Sequence, residues 1–118
     1  MMIAIPLDET KKNVCVSFGR APYYLFHNTE TNTSDIIENP AARAAGGAGI
    51  QAAQFVADHS ADTVITVRCG QNASDVLLAS GIAVYQSAQT SAADNLKLLA
   101  EGKLEKLSHF HPGFHGKA

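Results

Sequence analysis

The stretch Thr63-Val64-Ile65-Thr66-Val67-Arg68-Cys69-Gly70-Gln71-Asn72-Ala73 decides the fold. Five β-branched residues in a row, Thr63 to Val67, predict a strand covered on both faces, because a half-exposed strand alternates apolar with polar residues. Gly70 to Ala73 then reads as a loop. Ser74 to Ser80 follows as a helix closed by Gly81, and Ile82-Ala83-Val84-Tyr85 as a second buried strand. A buried strand, a helix and a further buried strand place the chain among α/β proteins.

Working outward, Ser91 to Glu101 predicts another helix, with Leu96, Leu99 and Ala100 turned inward and Gly102 ending it. On the other side, Ala41 to Gly49 is nearly all alanine and glycine, with Arg43 its one charge. It leads into a helix over Ile50 to Asp58 whose buried face carries Ile50, Ala53, Phe55, Val56 and Ala57. The first third reads as extended chain. Met2 to Pro6 is a short strand, Val14, Val16 and Phe18 alternate up to Gly19, and Tyr23 to Asn28 and Ser34 to Glu38 form a hairpin across a polar turn. A hairpin followed by strand, helix, strand and helix implies a mixed sheet with helices on its faces. Residues 1–107 form one domain on this reading, and Ser108 to Ala118 a flexible, histidine-containing tail.

Composition removes several function classes. At 118 residues there is room for one domain with an adequate core. The formal charge is −2 and no basic run is interleaved with aromatics, so nucleic acid is not an expected partner. No apolar segment is long enough to span a bilayer, and Met1 leads straight into a strand-like segment rather than a leader, so no membrane partner is expected. Two cysteines, Cys15 and Cys69, lie far apart without CxxC spacing. That is no disulfide framework, and a cytoplasmic location is the expectation. No nucleophile elbow, zinc-protease helix or P-loop is present, and the scattered carboxylates supply no pair to hold a divalent ion, so no enzymatic activity is expected.

The chemistry-bearing residues fall into three groups. Gly46, Gly47, Ala48 and Gly49 precede the first helix; Gly70, Gln71 and Asn72 precede the second. Glycine lets a ligand approach the backbone, and helix N-termini favour an anion by roughly 0.3–1 kcal/mol each. In an open α/β sheet both loops reach the carboxyl edge of the strands, where ligands bind. A further loop, Ser17-Phe18-Gly19-Arg20, brings one fixed cation and Arg68 brings another, which completes a cradle for a compact anion. The second group is Cys15 and Cys69, whose thiolates would be soft metal ligands, with Cys69 at its strand end expected to be the more exposed. The third is the tail, where His109, His111 and His115 lie within seven positions. The first two share a face of an extended chain with their roots ~7 Å apart, close enough to chelate one ion. His27 and His59 read as structural or surface residues.

Taken as a set, these segments resemble the dinitrogenase iron–molybdenum cofactor biosynthesis family. The resemblance rests on Ile3-Ala4-Ile5-Pro6, Phe18-Gly19-Arg20-Ala21-Pro22-Tyr23, Glu38-Asn39-Pro40 and Gly47-Ala48-Gly49-Ile50-Gln51-Ala52-Ala53. Val64-Ile65-Thr66 with Gly70-Gln71-Asn72-Ala73, Ala79-Ser80-Gly81-Ile82-Ala83-Val84-Tyr85 and Leu99-Ala100-Glu101-Gly102-Lys103-Leu104 continue it in order, across residues 2 to 107. It implies a three-layer α/β/α, ribonuclease H-like fold with a mixed five-stranded sheet. It also implies a nitrogenase accessory factor-like domain that binds, carries or helps assemble an anionic metal–sulfur cluster without catalysis. The cluster would be of molybdenum–iron or molybdenum–copper type, with a partner protein for its transfer. Many relatives carry histidine where this chain has Ser17, and some have histidine where it has Arg43. Charge and hydrogen bonds from the cradle, helped by Cys69 or the tail, therefore replace histidine coordination in this reading. The alternative is a regulatory or protein-interaction module of the same fold that binds no metal.

Overall fold

The computed structural model describes residues 1–107. Five strands, β1 (Met2–Leu7), β2 (Tyr23–Asn28), β3 (Thr33–Glu38), β4 (Thr63–Thr66) and β5 (Ala83–Gln86), form one sheet in the order β3-β2-β1-β4-β5. β1 is central, antiparallel to β2 and parallel to β4, and β4 is parallel to β5. The hairpin appears as expected, with Tyr23 opposite Glu38 and Asn28 opposite Thr33.

Period-two alternation divides the sheet's residues between two cores. Ala4, Tyr24, Phe26, Val64 and Val84 face helices α1 (Ala48–Asp58) and α2 (Gln71–Ala79). Ile3, Ile5, Leu7, Leu25 and Ile65 face α3 (Ala92–Ala100). All four residues of β4 are buried, as a strand sandwiched between helices requires. The result is the three-layer α/β/α arrangement with a mixed five-stranded sheet that the resemblance implied. Among the described residues no helix is long and apolar enough to cross a membrane.

Polar anchors fix the connections. Fully buried Asn95 accepts from Ala88 N–H at 2.9 Å and donates to the carbonyls of Gln89 and Ser91, each at 2.8 Å, tying the loop before α3 to that helix. His59 stacks on Phe26 at 4.7 Å and bonds the Phe55 carbonyl, while His27 bonds Ser34. Both histidines are structural.

Several local expectations are corrected. Val14 to Phe18 is not a strand: Val14 and Ser17 make single bridges, to Leu7 and Arg68, and Val16 faces solvent. The chain here leaves β1 and crosses toward the end of β4, so no strand runs alongside it for more than one residue. A one-turn 3-10 helix over Pro40–Arg43 occupies the alanine-rich stretch, with Asn39 as its N-cap. α1 starts two residues earlier than expected and buries Ala48, Ala52, Ala53 and Val56, leaving Ile50 exposed. α2 starts at Gln71, so residues read as a loop are its first turn. α3 buries Ala92 and Asn95 and leaves Ala100 exposed.

Candidate functional site

One cleft of about 650 Å³ opens beyond the carboxyl ends of β1 and β4, lined by residues 16–20, 47–50, 68 and 70–73. Three chain segments that are distant in sequence converge there. The loop after β1 is bridged to the end of β4 through Ser17 and Arg68. The same loop touches α1, because Gly19 lies so close to Gly49 that a Cβ on it would sit 2.8 Å from the Gly49 nitrogen. α1 in turn packs on α2, with Ala73 against Gly49. Small residues at 19, 49 and 73 therefore allow the three segments to close around one space.

The helix ends facing this cleft differ from the others. The Pro40–Arg43 turn is capped by the Asn39 side chain and α3 by Ser91 Oγ, which accepts from Asp94 N–H at 3.3 Å. α1 and α2 have glycine N-caps, Gly47 and Gly70, and no side chain caps either. The first intrahelical bonds run from Gln51 N–H to the Gly47 carbonyl and from Ser74 N–H to the Gly70 carbonyl. The amides of residues 48–50 and 71–73 thus precede each helix's own ladder, and those six residues all line the cleft. Gly47 sits at φ +69, a left-handed conformation that turns the chain into α1 without a side chain over the opening. Neither first turn holds an acidic residue.

Two guanidiniums complete the electrostatics. Arg20 Nη1 donates to the carbonyls of Ala42 and Ala44 at 3.3 and 3.0 Å, and Ser17 Oγ accepts from its backbone N–H. Arg68 stands exposed on the other bridged segment. No Asp or Glu lines the cleft among the described residues. Beneath it, buried Tyr24 donates its hydroxyl to the Phe18 carbonyl and packs edge-on against the Phe18 ring at 5.7 Å. Burial, and then the nearby thiols of Cys69 and Cys15, raise the Tyr24 hydroxyl well above its ordinary value, so this prop stays neutral.

Ser17, Phe18, Gly19, Arg20, Gly47, Ala48, Gly49, Arg68, Gly70, Gln71 and Asn72, all expected from the sequence, meet at this cleft. Gly46 does not line it. Cys15 and Cys69 do not line it either: Cys15 is half-buried and Cys69 is 1% exposed. The expectation that Cys69 is the exposed thiol is corrected. At the end of β4 the chain turns Arg68 outward and Cys69 into the core with Phe18 and Tyr24, and burial pushes its thiol up to about 12. Such a thiol keeps its proton near neutrality. Among the described residues no three His, Cys, Asp or Glu side chains are grouped to hold a metal ion. His109, His111 and His115 lie outside the described residues.

Sequence reasoning missed Val16, Ile50 and Ala73 in the lining, and the clamp that aims Arg20. Asn39, 5% exposed, donates to the carbonyls of Gly19 and Ala21 at 3.0 and 2.9 Å and accepts from Ala41 N–H at 3.0 Å. It joins the Arg20 loop to the turn whose carbonyls receive Arg20. An Asn-Pro pair is an N-cap signal, and that signal could have singled Asn39 out.

The comparisons with known proteins agree with this fold. The family model for dinitrogenase iron-molybdenum cofactor matches residues 1–102. An uncharacterised protein of Methanocaldococcus jannaschii is 34% identical over 109 residues, covering 90% of this chain and 91% of that protein. The structure is similar to the apo form of the orange protein from Desulfovibrio gigas, with a TM-score of 0.83 and 25% identity over 91% of this chain and 92% of that one. It is also similar to the NMR structure of a Thermotoga protein of the DUF35 family, with a TM-score of 0.78 and 29% identity over 92% and 95%.

Proposed function

The chain belongs to the dinitrogenase iron-molybdenum cofactor family, and from that footing we propose that it binds and carries an anionic metal–sulfur cluster without catalysing a reaction itself. The observation that carries this reading is the pair of uncapped helix N-termini that open, with Arg20 and Arg68, onto one cleft free of acidic residues among those described. Each helix end favours an anion by roughly 0.3–1 kcal/mol, and a charge-assisted bond from a guanidinium adds about 1.5–3 kcal/mol. The cluster is cargo in this reading. It is held by amides and guanidiniums rather than by a cage of protein ligands, which suits a protein that must give it up to a partner. Molybdenum with iron or with copper are the candidate compositions.

Anaerobic reconstitution tests the reading. The protein is incubated with tetrathiomolybdate and copper(I), and separately with iron and sulfide, then desalted for metal analysis and visible spectroscopy. Stoichiometric retention with defined charge-transfer bands is expected in one arm. Arg20→Gln combined with Arg68→Gln lowers affinity about a hundredfold or more, from the loss of two charged contacts. Unchanged retention in that variant overturns the reading, and no retention in either arm favours a metal-free interaction module.

A further inference from the structure

Val16 is 58% exposed and Ile50 43% exposed, and both line the cleft. Single apolar side chains in water are ordinary, but two at the rim of an anion site constrain what enters. Neither forms hydrogen bonds, so an anion filling the cleft loses water at these positions without replacement. An oxyanion, with strongly accepting oxygens, pays that desolvation in full. Sulfur is a weak acceptor and highly polarisable, so a sulfide-surfaced anion gives up less on losing the same water and makes dispersion contacts with the methyl groups instead. The cations agree with this preference. Both are guanidiniums, which are more weakly hydrated than ammonium groups, and no lysine lines the cleft among the described residues.

We propose that Val16 and Ile50 are specificity-determining residues, which make the cleft select a large, weakly hydrated, sulfide-surfaced anion over an oxyanion of the same shape and charge. The inference rests on the anion-binding reading above and adds the basis of its selectivity. Val16 belongs to the loop after β1 and Ile50 to the first turn of α1, so the apolar rim is built from the same two segments that bring Arg20 and the α1 amides.

Tetrathiomolybdate and molybdate make a matched pair of probes, both tetrahedral dianions that differ only in sulfur against oxygen. Their affinities for the intact chain are measured anaerobically by equilibrium dialysis with molybdenum analysis. Wild type, the Val16→Thr/Ile50→Thr double variant and Leu78→Thr are compared; Leu78 is 56% exposed and lies outside the cleft lining. All three positions face solvent, so thermal midpoints stay close together. The wild type prefers tetrathiomolybdate, the double variant loses about tenfold of that preference, the factor carried by two methyl-sized apolar contacts, and Leu78→Thr keeps it. A preference that survives in the double variant, or falls equally in Leu78→Thr, overturns the inference. Equal wild-type affinity for the two anions, or binding of neither, overturns it, while the cluster reading stands or falls separately on metal retention in the reconstitution above.

Discussion

Replacing Asn39 by alanine tests whether the cleft is held open by the clamp described above. The side chain makes three hydrogen bonds, to the carbonyls of Gly19 and Ala21 and from Ala41 N–H, at 2.9–3.0 Å. The bonds to Ala21 and Ala41 are buried; the one to Gly19 is partly so. Truncation strands one buried carbonyl and one buried amide, at about 1–3 kcal/mol each, while the Gly19 carbonyl can recruit water. The expected loss is about 3 kcal/mol of an ordinary domain stability of roughly 5–15 kcal/mol. In a chain of this length that lowers the thermal midpoint by about 12 °C. Urea unfolding at pH 7, with the slope against denaturant checked for constancy, measures it. Asn39→Asp refines the test: it keeps the acceptor for Ala41 but sets an anion against two carbonyl oxygens. That carboxyl gains stability as it protonates, so lowering the pH from about 7 to about 5 partly restores the aspartate variant relative to the alanine one. A loss below about 1 kcal/mol for Asn39→Ala, or the same pH response in both variants, refutes the clamp.

Gly19→Ala sets a Cβ against the Gly49 and Ala48 backbone and forces the Arg20 loop off α1, at about 1–3 kcal/mol with weaker tetrathiomolybdate binding; Gly46→Ala, with nothing within 4 Å, serves as the control. Equal urea midpoints and affinities for the two variants contradict the close approach. Cys69 contributes to the alkaline loss of stability: its thiol is raised from 9.0 to about 12, so its contribution is whole below 9.0 and is lost as pH rises through about 12. Between 9.0 and about 10, Cys69→Ala flattens the fall of stability with pH by up to about 1.2 kcal/mol per unit. An unchanged slope in urea titrations contradicts the buried placement.

Helix capping separates structural from functional ends in this fold. An N-cap side chain satisfies the first amides internally, as Ser91 does for α3 and Asn39 for the Pro40–Arg43 turn. Glycine at the caps of α1 and α2 forgoes that stabilisation, and the residues of both first turns line the cleft. At Gly70, in an extended conformation, serine, threonine or aspartate would give a more stable helix start, whereas the left-handed φ of +69 at Gly47 itself calls for glycine.

The sequence by itself determined the element types and most of the cradle. The β-branched run Thr63 to Val67 marked β4 as doubly covered, the aromatic Tyr23 to Asn28 segment marked β2, and the glycine-bearing segments with Arg20 and Arg68 marked the cleft. These are local signals: propensity, periodicity and turn chemistry act within a few residues and need no knowledge of the whole fold. Only the tertiary structure decided which side of the chain each residue presents. Val16 reads as an inward member of an alternating segment but faces solvent, because the loop after β1 meets its neighbours through single bridges rather than along a ladder. Cys69 reads as an exposed strand end but is buried, because Arg68 takes the outward position and the next residue must point the other way. Asn39 reads as a strand terminator, and becomes a clamp only when Gly19 and Ala21, some twenty residues earlier, are brought beside it. Such contacts join residues far apart in the chain, and no spacing pattern records them.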